Sequence, residues 1–174
     1  EAGFVLEGNR FVKGEEVWLP LYEGKMIWHY DHRFGTFEGV ESRSNTNIPT
    51  PSLDEHLDHN YQIVPWYWVD QKEVANKLAD RTKSNWLIAF RAITSPTNQR
   101  SSIFCIVPRS ATSDMMQLLF SNVSPYRSTC LTAHLNSIPF DYICRQNVGI
   151  KFTYFTLKQL PVLPPSTYTP ALID

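Results

Sequence analysis

The chain has 174 residues, of which 43% are hydrophobic, 13% aromatic and 19% charged, so it can bury the core of one domain and is too apolar and aromatic for global disorder. Its longest apolar runs, such as Trp86-Leu87-Ile88-Ala89-Phe90, fall far short of the ~20 residues that a membrane-spanning helix needs. The net charge of −1 conceals a polarised distribution: residues 1–80 carry 7 Lys and Arg against 14 Asp and Glu, and residues 81–174 carry 9 against 3.

That asymmetry leaves two readings open. The later half can hold a polyanion, or the two halves can neutralise each other within the fold. Cys105, Cys130 and Cys144 are odd in number and lack Cys-x-x-Cys spacing, which disfavours a disulfide framework or thiolate zinc site and suits a reducing cytoplasm. The chain starts at Glu1 without a signal-peptide pattern and is expected to be a piece of a longer protein.

In chain order, Phe4-Val5-Leu6, Arg10-Phe11-Val12 and Val17-Trp18-Leu19 are short apolar bursts divided by Glu7-Gly8-Asn9 and Lys13-Gly14-Glu15. They predict three strands joined by turns. Leu21 to Phe37 has no helical period and predicts strand and loop; Ser42 to Asn60, with Pro49 and Pro51, predicts a long surface loop. Asp70 with Glu73 three residues on marks the start of a helix over about 71–80, with Val74 and Leu78 as its apolar stripe.

Asn85–Ile93 and Ser101–Val107 predict a hairpin with a polar tip. Alternation puts Trp86, Ile88 and Phe90 on one face of its first strand and Leu87, Ala89 and Arg91 on the other. Ser113–Phe120 predicts a short helix. Leu131, Leu135, Ile138 and Tyr142 predict one face of a helix over about 128–147, interrupted at Pro139 and ended by Gly149. A strand over 151–155, a helical turn over 157–160 and a Pro-rich end complete the prediction.

Two clusters have the residue types of metal chemistry. His29, Asp31 and His32, with His56 and His59 downstream, are potential ligands, but the His29–His32 spacing suits same-side ligands only on a helix, which this segment does not predict, and His56 and His59 fall in the polar loop. Glu23-Gly24-Lys25 would share a face on a strand, the pairing with which metal-dependent nucleases hold a cation and polarise water. The sequence contains no glycine-rich phosphate loop, no Gly-x-Ser-x-Gly elbow and neither the Asn-Pro-Pro-Tyr nor the Asp-Pro-Pro-Tyr of amino-methyltransferases. A binding surface remains. Thr97-Asn98-Gln99-Arg100 groups two amides and a guanidinium, the groups that read adenine and guanine edges in a major groove. Arg145-Gln146-Asn147 with Lys151 offers a second patch, suited to phosphates or bases.

Four blocks carry a family resemblance: Leu19-Pro20-Leu21-Tyr22-Glu23-Gly24-Lys25-Met26-Ile27 with Asp31-His32-Arg33-Phe34; Tyr67-Trp68-Val69; Trp86 through Arg100; and Leu135-Asn136-Ser137 through Pro165. In these the chain resembles the C-terminal target-recognition region of bacterial N6-adenine DNA methyltransferases of the single-chain restriction-modification and phage-exclusion type. It departs from the family pattern at Arg91-Ala92-Ile93, Asn98-Gln99-Arg100-Ser101 and Gly149-Ile150.

The resemblance implies a single α+β domain over 1–174, with a mixed or antiparallel sheet, a few helices and no catalytic residues of its own. Its partners would be double-stranded DNA and the methyltransferase domain of the same parent chain, which would take S-adenosylmethionine; neither cofactor nor metal is expected in this piece. Arg91, Asn98, Gln99 and Arg100 are the expected hairpin contacts, and Arg33, Arg145, Gln146 and Lys151 the expected phosphate-side contacts. The alternatives are a metal-dependent nuclease module built on Glu23, Lys25 and the histidines, and a protein- or sugar-binding module using exposed aromatics.

Overall fold

A computed structural model describes residues 3–44 and 47–169. Strands β1 (Val5–Glu7), β2 (Arg10–Lys13) and β3 (Glu16–Tyr22) form the predicted meander. Glu7 pairs with Arg10 and Lys13 with Glu16, so each connection has two central residues. Gly8 and Gly14 take the first central positions at φ +58, where an L side chain would be strained.

From Ile27 to Tyr67 the chain is largely irregular, and side chains satisfy its backbone. Arg33 donates to the carbonyls of Asp58, Tyr61 and His56 at 2.8, 3.2 and 2.7 Å. Within the loop expected over 42–60, Leu53–Leu57 form α1, capped by Ser52 and Glu55 in reciprocal hydrogen bonds. Asn45 and Thr46, also in that loop, lie outside the described residues.

Strand β4 (Trp68–Asp70) adds to β3, and α2 (Gln71–Leu78) starts where Asp70 accepts the Lys72 N–H at 2.8 Å. Val74 and Leu78 are buried, as their spacing predicts. The second sheet is built on β5 (Trp86–Arg91), flanked by β6 (Phe104–Pro108) and β8 (Met116–Leu119), all antiparallel. Between them β7 (Ala111–Thr112) pairs in parallel with the end of β3 and ties the two sheets together. The fold is therefore α+β.

Strand β5 is covered on both faces. Leu87 and Ala89 pack with Tyr22, Met26, Val74 and Leu78 in one apolar cluster; Ile88 and Phe90 pack with Phe104, Phe140 and Phe152 in the other. The Phe90 ring lies 5.1 Å from that of Phe104 and 5.4 Å from that of Phe152.

Several local expectations are corrected. Met116–Leu119 is a strand, not part of a helix over 113–120, because pairing with β5 satisfies its backbone and buries Met116. The interruption expected at Pro139 in the helix over 128–147 falls earlier, at Asn136 and Ser137, and divides it into α3 (Pro125–Leu135) and α4 (Ile138–Asn147). Asn136 is used elsewhere, exchanging 2.9 Å hydrogen bonds with the Phe104 backbone, and Ser137 caps the new helix with Pro139 in its first turn.

The break changes which face is buried. Phe140 and Cys144 turn inward while Ile138 and Tyr142 are 76% and 66% exposed. That helix ends with Val148 extended, without a left-handed Gly149. Of the strand expected over 151–155 only Lys151 forms a bridge, to Ile93, and the helical turn comes earlier, as α5 (Tyr154–Leu157).

Candidate nucleic-acid interface

The polar tip is the middle of a broad loop over residues 92–103, supported from below. Asp141, on α4 and 5% exposed, accepts the Ser101 and Ser102 N–H groups, each at 2.7 Å. It also pairs with Arg145 at 3.0 Å and with Arg100 at 3.5 Å. Burial alone pushes its carboxyl up, but the Ser102 N–H, Arg145, the Ser101 N–H and Arg100 outweigh that and hold it below the usual aspartate range.

Arg145 donates further to the carbonyls of Pro96 and Gln99 at 3.0 and 2.9 Å, and Arg100 to the carbonyl of Asn136. Thr94 closes the neck of the loop by donating to the Ser101 carbonyl at 2.9 Å. Arg100 and Arg145 thus brace the loop, while Asn98 and Gln99 stand exposed at its tip.

Arg91 ends β5 in a different setting. It lines a recess of about 360 Å³ with Glu23, Gly24, Lys25, Arg43, Ile93 and Met115. Its guanidinium sits 5.6 Å from the Trp28 ring centre, and burial pulls its pKa below the usual arginine value. Glu23-Gly24-Lys25 reaches this recess from a 3-10 turn over Gly24–Met26, not from the expected strand. The Lys25 ammonium rests 4.7 Å from the Phe37 ring centre.

A second recess, of about 410 Å³, adjoins the first. Lys77, Arg81, Asp114, Gln117, Phe120, Lys151 and Tyr154 are among its lining residues. Met115 in the first recess is flanked in sequence by Asp114 and Met116 of the second, and Ile93 of the first is bridged to Lys151 of the second. Six cations therefore line the two recesses, three in each. Among the described residues only Arg43 of the six has an ion-pair partner, Glu23 at 3.0 Å. The described ion pairs join residues within the acidic half or within the basic half, and none crosses between them.

The remaining expected contacts are dispersed. Arg33 is committed to three carbonyls of the irregular segment, and Gln146 is exposed near the end of α4. His29 bonds the Ser102 carbonyl at 2.8 Å and His56 bonds Asp31 at 3.2 Å. Burial lowers the pKa of His29 and of His32. Among the described residues no group of three His, Cys, Asp or Glu could hold a metal ion. Burial pushes the Cys105 and Cys144 thiols up to about 12, which keeps them protonated at neutral pH.

Sequence reasoning missed Lys77, Arg81 and Arg43. Lys77 and Arg81 are four residues apart around the end of α2, a spacing that places two cations on one side. No local signal marks Arg43, which reaches the site from the irregular segment. Among the described residues no helix is long and apolar enough to cross a membrane. Compared with protein-family models, with curated proteins and with solved structures, the chain gives no match.

Proposed function

We propose that the chain is a module that reads double-stranded DNA, the target-recognition part of an N6-adenine DNA methyltransferase whose catalytic domain and S-adenosylmethionine site belong to the rest of the parent. One observation carries this reading: Lys25, Arg43, Arg91, Lys77, Arg81 and Lys151 border two adjoining recesses with one carboxylate partner among them. Cations left without protein counter-charges release the ions condensed on a polyanion when they meet it.

The braced loop supplies the other half of the task. Phosphate contacts fix position but carry no sequence information, whereas amide side chains such as Asn98 and Gln99 can bond an adenine edge through both N6 and N7. Arg100 and Arg145 serve in this reading as supports for that reading head. The four sequence blocks that resemble target-recognition regions support the assignment of the module to a methyltransferase.

The test is a salt titration of binding to duplexes that carry or lack the site methylated by the parent. Replacing Lys77, Arg81 and Lys151 together with Ala should weaken binding to all sequences and lower the salt slope by about 3, one per phosphate contact. Asn98→Ala should lose ~1–3 kcal/mol on the specific duplex alone. Binding that ignores salt, or a triple variant with the wild-type slope, overturns the proposal.

A further inference from the structure

Glu23 is 9% exposed. One carboxylate oxygen pairs with Arg43 Nη2 at 3.0 Å, and the other, Oε1, is buried without a hydrogen-bond partner. Arg91 lines the same recess, and its guanidinium has no hydrogen-bond acceptor among the described residues, only the Trp28 ring at 5.6 Å. A carboxylate and a guanidinium therefore share one recess without pairing. A buried acceptor left empty costs free energy, and a ligand that fills it returns that cost. The ligand that fits must bring an N–H donor for Glu23 and a negative group for the cations.

We propose that this recess reads a cytosine in the major groove of bound DNA: Glu23 Oε1 accepts from the exocyclic N4 amine, and Arg91 and Lys25 hold the adjacent phosphate. This rests on the DNA-binding reading above and gives its first recess a base preference. Thymine O4 and guanine O6 and N7 present lone pairs that a carboxylate repels, and adenine places N7 beside its amine. Cytosine presents the amine with a C–H next to it, the edge from which Glu and Asp accept.

Arg43 acts as the cover. Its side chain is 39% exposed and its guanidinium lies 5.0 Å from the Tyr67 ring centre. An arriving phosphate draws it off Glu23 and opens the carboxylate to the base. The floor is fixed, because a Cβ on Gly24 would stand 2.7 Å from the Met115 carbonyl oxygen.

The experiment is affinity selection from a randomised duplex library, run on the wild-type chain and on Glu23→Gln. The wild type should enrich a motif with one fixed cytosine. Gln bonds adenine through N6 and N7, so the variant should move that single position towards adenine while keeping the rest of the motif and the salt slope. A variant motif identical to the wild type, or one weakened equally at every position, overturns the inference.

A second measurement needs no variant. Replacing that cytosine with 2-pyrimidinone, which lacks the amine, should weaken wild-type binding about tenfold, and unchanged affinity overturns the inference. A wild-type chain that enriches nothing and binds without salt dependence overturns the DNA-binding reading itself. A wild-type motif that survives Glu23→Gln overturns only the cytosine assignment.

Discussion

Asp141 and Glu23 are both buried carboxylates, yet their surroundings are opposite. Asp141 is saturated by two backbone N–H groups and two guanidiniums, whereas Glu23 has one exposed arginine on one oxygen and nothing on the other. A buried charge with donors or cations on both oxygens is structural, because its partners are spent on holding the chain. An unsaturated one, set among cations that also lack acceptors, is the arrangement that a ligand completes.

The contrast is open to direct attack, most forcefully at Asp141. Asp141→Ala leaves two N–H groups beneath the loop without an acceptor and removes the counter-charge of two guanidiniums, and should cost ~3–5 kcal/mol of stability, measured by urea unfolding. A loss below ~1 kcal/mol would mean that the brace is ornamental.

Next in size is Gly24→Ala, which sets a methyl group against the Met115 carbonyl. It should destabilise the chain by ~1–3 kcal/mol in the same assay, with the recess narrowed. A neutral result would show that the floor of the recess yields.

The smallest effect is a pH dependence. The Asp141 carboxyl titrates below its ordinary value of 3.8 in the folded chain. Its ionisation therefore contributes stability that is fully present above that value and is lost as pH falls through the lowered one. The stability gap between wild type and Asp141→Asn should hold steady from neutrality down to the ordinary aspartate range and then close. A gap that widened on acidification would contradict the donor count around Asp141.

Parts of this architecture are written locally. The meander shows because Gly8 and Gly14 punctuate short apolar runs, α2 because Asp70 caps a stripe of Val74 and Leu78, and β5 because its alternation feeds two clusters. Strand β8 does not show: Met, Gln and Leu suit a helix, and only the neighbouring β5 makes the segment extended. The break at Asn136 was half visible, since Pro139 announced an interruption. The inward turn of Phe140, by contrast, depends on an amide bonded to a distant strand.

The site divides in the same way. Arg91, Lys151, Asn98 and Gln99 could be picked out by residue type and position. That Arg100 and Arg145 would be drawn beneath the loop required knowing where Asp141 stands, 40 or so residues downstream of the tip. The charge split misled in one respect. The cations of the two recesses come from both halves, Lys25, Arg43 and Lys77 from the acidic one and Arg81, Arg91 and Lys151 from the basic one.

The brace beneath the loop touches main-chain atoms: the carbonyls of Pro96 and Gln99 and the amides of Ser101 and Ser102. Arg100 and Thr94 apart, such a mount does not depend on the side chains at the tip of the loop. Positions 98 and 99 can therefore be exchanged by mutation without loosening the loop, and under the proposed DNA-reading function such exchanges would alter the target while the scaffold stays the same.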